Sequence, residues 1–174
     1  AGGVFRGGVA HILRGWDHLL FLAALILVVE RPRTLLGVVT GFTAGHTLTL
    51  VLAGLDVVAL PSRFTEGAIA FSIAWVAARN ALGASGEGRW KVAALFGLVH
   101  GFGFAAGLRG QLPPDRLVPS LLVFNLGVEA GQLAAVALAW PLLRRLSRSS
   151  GPARAFSWTL AAVGAGLCAW RLFV

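Results

Sequence analysis

The 174 residues are 57% hydrophobic and 13% charged, with a mean hydropathy of +0.79. A soluble domain carries about a quarter charged residues, so this composition excludes an ordinary water-exposed domain and indicates a polytopic membrane protein. The net charge of +8 does not indicate a nucleic-acid partner, because the basic residues fall in short connections and at helix ends, where membrane insertion places them.

About 20 apolar residues cross the hydrocarbon core as a helix. Six such stretches predict an all-α bundle of six transmembrane helices near 9–29, 34–54, 65–83, 91–109, 117–142 and 154–173, forming a single domain over 1–174. Gly, Ala and Ser recur in each, which lets neighbouring helix backbones approach. The alternation expected of barrel strands is missing. Between the stretches, "ERPR" at 30–33, "DVVALPSR" at 56–63, "GASGEGR" at 83–89, "GQLPPDR" at 110–116 and "RRLSRSSGPAR" at 144–154 read as turns.

Charge then orients the chain. Arg31, Arg33, Arg79, Arg89, Lys91, Arg144, Arg145, Arg148 and Arg154 lie around the first, third and fifth connections. Arg6, Arg63, Arg109, Arg116 and Arg171 lie on the opposite side. The expectation is a multi-pass protein of a bacterial inner membrane, surrounded by lipids, with both termini outside. The arginines of the fifth connection would meet anionic lipid on the inner side. Cys168 is the only cysteine, so there is neither a disulfide framework nor a thiolate metal cluster. The first apolar run, interrupted by His and Asp, is not the plain core of a cleavable signal peptide.

The polar residues inside the spans carry the functional signal. "HILRGWDHLL" at 11–20 puts His11, Arg14, Asp17 and His18 in the first helix. His11 and His18 share a helical face, and Arg14 offers Asp17 a local ion pair. Thr43, His46 and Thr47 form a stripe on the second helix. Glu66 and Ser72 lie in the third, His100 lies among glycines in the fourth, and Asn125, Glu129 and Gln132 recur at i, i+4 and i+7 in the fifth. With the termini outside, all of these fall between the outer surface and the midplane. Ionisable groups within a membrane are costly and mark functional sites. Any single histidine here is equally well explained as a satisfied structural residue. Four histidines with carboxylates in one layer point to a divalent metal such as Ni, Co or Zn, bound by His11, Asp17, His18, His46, His100 and Glu129. Thr43, Glu66, Ser72, Asn125 and Gln132 would support them.

Four motifs in order carry a family resemblance. "HILRGWDHLLF", with its H-x5-D-H pattern, "GFTAGHTLTL", "FGLVHGFGFA" and "FNLGVEAGQ" resemble those of HupE/UreJ-type proteins, described as nickel or cobalt permeases. The resemblance runs from His11 to about Gln132. It implies a metal permease in which His11, Asp17, His18, His46, His100 and Glu129 match functional positions. The chain departs from the better-known permeases after "HG". Phe104, Ala105 and Ala106 stand where those carry a second His and a nearby Glu, so Glu129 would have to supply the carboxylate. An intramembrane metal-dependent hydrolase is the rival reading. Three histidines would hold zinc, and Glu129 or Asp17 would act as base toward a lipid or a membrane peptide. The sequence leaves the metal and the oligomeric state open.

Overall fold

The computed structural model describes residues 2–108 and 116–173, with the side chains of 105–108 excepted. Most of the "GQLPPDR" turn and Arg109 therefore lie outside the described residues. Within them the regular structure is all helical: α1 (Gly2–Arg14), α2 (Trp16–Ile26), α3 (Pro32–Gly54), α4 (Ser62–Ala81), α5 (Arg89–Leu108), α6 (Leu117–Ser147) and α7 (Ser150–Phe173).

The first expected span, 9–29, is not one helix. The chain bends by 69° between α1 and α2. Gly15 causes the break, with φ −80° and ψ 93°, outside the helical region. A Cβ there would stand 2.7 Å from His18 Nδ1 and 2.8 Å from the His11 carbonyl oxygen, so a side chain does not fit the elbow without movement.

By length and apolar content α3, α6 and α7 suffice to cross a membrane, and α1 with α2 makes a fourth, broken span. α4 contains Arg63, Glu66 and Arg79, and α5 opens with Arg89 and Lys91. Of the two, α4 falls short of that measure, and the side chains of 105–108 in α5 lie outside the described residues, so among the described residues three or four of the six expected spans are met.

The helices pack most extensively as α3 on α5, α4 on α7 and α1 on α6. Glycine allows this closeness. A Cβ on Gly45 of α3 would meet the Ala94 carbonyl of α5, and one on Gly97 of α5 would meet the Phe42 carbonyl of α3. The G-x-x-x-G at Gly97–Gly101 is thus a seam against α3.

Two apolar clusters form the core. The larger includes Phe21, Leu25, Ile26, Val38, Phe42, Ile73, Val76 and Leu160. The smaller joins Ile12, Leu50, Leu121, Phe124 and Val128, with Phe104 packed against it. Large apolar side chains such as Phe64, Leu82, Leu138 and Trp170 remain exposed, as on a lipid-facing surface.

Candidate metal centre

The four histidines meet where the two apolar clusters adjoin. His11 comes from α1, His18 from α2, His46 from α3 and His100 from α5. On a straight helix, residues seven apart are about 10 Å apart along the axis. The Gly15 elbow instead brings the His11 and His18 ring centroids to 4.6 Å. His11, His18 and His46 each offer a nitrogen within 4.8 Å of the others. His100 adjoins this group, its ring 5.1 Å from that of His18.

Phenylalanines enclose the imidazoles. Phe42 stacks on His46 at 5.8 Å, Phe21 lies 5.0 Å from His100, and Phe104 lies 3.9 Å from His11. The residue at the family departure, Phe104, is thus part of the wall of the site. His46 and His100 are completely buried or nearly so.

Hydrogen bonds set two tautomers. Asn125 donates its amide to the Leu121 carbonyl at 2.9 Å, which turns Oδ1 toward His46 Nδ1 at 2.8 Å. His46 therefore donates from Nδ1 and keeps a lone pair on Nε2. His100 Nδ1 lies 2.8 Å from the Phe96 carbonyl, which can only accept, so its Nε2 also keeps a lone pair. The Nε2 atoms of all four histidines, and Nδ1 of His18, are buried without a hydrogen-bond partner. Buried polar atoms are normally satisfied. Each neutral imidazole carries one N–H and one lone pair, so these five nitrogens present at most four lone pairs, one from each ring, with no hydrogen-bond donor to meet them among the described residues.

The expected carboxylates lie elsewhere. Asp17 Oδ2 pairs with Arg171 of α7 at 2.8 Å, so its partner is Arg171 and not the expected Arg14. Arg171 also donates to the Glu66 carbonyl at 3.2 Å, and its Nε stands 4.0 Å from Glu66 Oε2. Glu129 accepts from Thr40 at 2.9 Å, outside the histidine group. The α6 stripe instead faces α3: Asn125 meets His46, Gln132 accepts from Thr43 at 3.0 Å, and Glu129 meets Thr40. Thr47, expected on the α3 stripe, bonds back to the Thr43 carbonyl of its own helix, and Thr40 takes its place. Ser72 likewise bonds to its own helix at Ile69.

Arg171, Thr40, Gly15 and Phe104 were not among the expected site residues. Two of them had a sequence signal: Gly15, a glycine between His11 and His18 in one apolar run, and Phe104, which stands at the departure from the family pattern.

The chain is therefore an all-helical protein with membrane-length apolar segments, whose described residues gather one buried group of metal-ligand side chains. It matches the family model described as HupE / UreJ protein over residues 2–174, and it belongs to that family. No curated protein and no solved structure matches it.

Proposed function

We propose that this HupE / UreJ protein is a bacterial inner-membrane permease that carries a divalent transition metal, Ni, Co or Zn, through the histidine site. In this reading α1 with α2, α3, α4, α5, α6 and α7 make six spans, with both termini outside. The observation that carries the proposal is the set of buried, unpartnered imidazole nitrogens on four helix segments, two of them with tautomers that leave Nε2 free. Neutral imidazole suits these borderline cations. Its lone pairs would replace the hydration shell that the cation sheds on leaving water.

The path follows from the polar pairs. Asp17 and Glu66 around Arg171 lie beside the outer approach in this orientation. From His46 the α3–α6 pairs continue through Thr43–Gln132 to Thr40–Glu129. Six residues of helix separate His46 from Thr40, about 9 Å at 1.5 Å per residue. An exit that is otherwise apolar thereby gains oxygen ligands, ending at a carboxylate.

The hydrolase reading draws less support. A general base must reach the metal-bound water within hydrogen-bond distance. Asp17 is held by Arg171 and Glu129 by Thr40, and neither joins the histidine group.

The test is metal stoichiometry of the purified protein. Replacing His11, His18 or His46 by Ala should each weaken binding of Ni, Co or Zn by about 100-fold or more, since each removes a direct ligand (even a residue behind the ligands is worth 10–100-fold). His100→Ala should cost less, and Cys168→Ala nothing. Full occupancy in all three of the first variants would refute the site.

A further inference from the structure

We infer that the arginine-lined cavity at the basic end of the bundle binds the phosphate group of a membrane phospholipid. This proposal is independent of metal transport. The cavity measures about 890 Å³ and lies between the connections α2–α3, α4–α5 and α6–α7. Arg31 and Arg33 line it from one connection and the start of α3, and Arg154 from the start of α7. None of the three makes an ion pair among the described residues. Glu30 and Glu87 also line it, leaving an excess of one positive charge.

A fourth arginine lies under the cavity. Arg89 is 3% exposed, and its partners are neutral: the Ser85 carbonyl at 3.1 Å and the Asn80 side-chain oxygen, with Asn80 itself lining the cavity. An arginine guanidinium stays charged when buried. A buried cation without a carboxylate leaves positive potential to be met by an anion from outside. The starts of α3, α5 and α7 border the cavity, and so do the ends of α2, α4 and α6, so helix dipoles of both signs meet there and the positive potential comes from the arginines.

Position selects the source of the anion. Arg79 over Trp75, Lys91 over Trp90 and Arg144 over Trp140 pair cation with indole at this end of the bundle. Such pairs suit the depth of lipid headgroups. Trp90 lines the cavity, and Leu36 and Leu82, beside lining residues, are exposed where acyl chains would run. Arginine forks match phosphate oxygens. Glu30 and Glu87 suit the hydroxyl or ammonium groups that a headgroup carries beyond its phosphate. Basic pockets between membrane helices on the cytoplasmic side hold lipid headgroups in the same way.

The experiment measures thermal stability of the full chain in detergent with short-chain phosphatidylglycerol, with diacylglycerol of the same tails, or with inorganic phosphate. Phosphatidylglycerol should raise Tm by a few degrees, and the other two should not. Arg31→Gln/Arg33→Gln/Arg154→Gln should weaken that response by about tenfold or more in lipid concentration. Arg144→Gln/Arg145→Gln/Arg148→Gln removes the same charge outside the cavity and should leave the response intact. Arg154→Gln alone should lose part of it, which keeps the test decisive if the triple variant fails to fold. Equal loss in both triple variants would overturn the site in favour of a general field. Equal stabilisation by diacylglycerol would overturn the phosphate, saturation by inorganic phosphate would overturn the lipid, and no stabilisation by any of them would overturn the proposal.

Discussion

Asn125 on α6 holds His46 on α3: its Oδ1 accepts from His46 Nδ1 at 2.8 Å while its amide is anchored on the Leu121 carbonyl. The imidazole is thus fixed in both orientation and tautomer before a metal arrives. Residues in this position behind a ligand typically contribute 10–100-fold to metal affinity. Asn125→Leu should therefore weaken metal binding by about that factor while the three direct ligands remain. Asn125→Asp keeps an acceptor and should bind better than the Leu variant. Equilibrium metal titration of the two proteins side by side checks the ranking, and equal affinities would remove Asn125 from the site.

The Asp17–Arg171 pair gives a second expectation. It joins α2 to α7 at 2.8 Å, with side chains 23% and 17% exposed, and Arg171 also reaches Glu66. Hydrogen bonds to charged groups contribute about 1.5–3 kcal/mol, and partial exposure reduces this. Arg171→Gln should destabilise the fold by about 1–2 kcal/mol, whereas Arg14→Gln should have little effect. A double-mutant cycle with Asp17→Asn should show coupling in Arg171 and none in Arg14. Coupling to Arg14 would return Asp17 to the local pair that the sequence suggests.

How much of this was legible beforehand depends on the range of each interaction. Composition and 20-residue apolar runs report the solvent, so the all-helical, lipid-suited character was visible, as were the histidines that cluster. Helical phase correctly put Asn125 and Gln132 on one face of α6. It also put His11 and His18 together, but on the premise of one straight helix, whereas the Gly15 elbow is what brings the two rings to 4.6 Å. The partner of Asp17 was invisible for another reason. Arg171 is 154 residues away in sequence, and only the packing of α7 on α4 brings it near. Glu129 looked like a ligand because its own helix offers it no cation. The Thr40 hydroxyl that receives it belongs to a different helix.

Orientation is open to direct measurement. In the proposed orientation, which rests on the nine basic residues around the first, third and fifth connections, Ser149 faces the cytoplasm. A cysteine at Ser149, in a Cys168→Ser background, should resist a membrane-impermeant thiol reagent in intact cells and react after lysis. Reaction in intact cells would invert the protein, and with it the direction of the proposed path.

Glu129 separates binding from movement. It lies outside the histidine group, bonded to Thr40 at the far end of the α3–α6 polar pairs. If the cation is held by imidazoles and leaves past this carboxylate, Glu129→Gln should keep the metal stoichiometry of the wild type. Its transport should nevertheless fall. A charge-assisted contact is worth about 1.5–3 kcal/mol, so losing it at the barrier slows passage by about 10–100-fold. Gln is nearly isosteric and can still accept from Thr40, so stability should hold. Thr40→Val keeps the carboxylate but removes the hydroxyl that orients it, and should slow transport less. The measurement is metal uptake into vesicles beside metal content of the same preparations. Loss of bound metal in Glu129→Gln would make Glu129 a ligand after all. Full uptake would place the exit elsewhere than between α3 and α6.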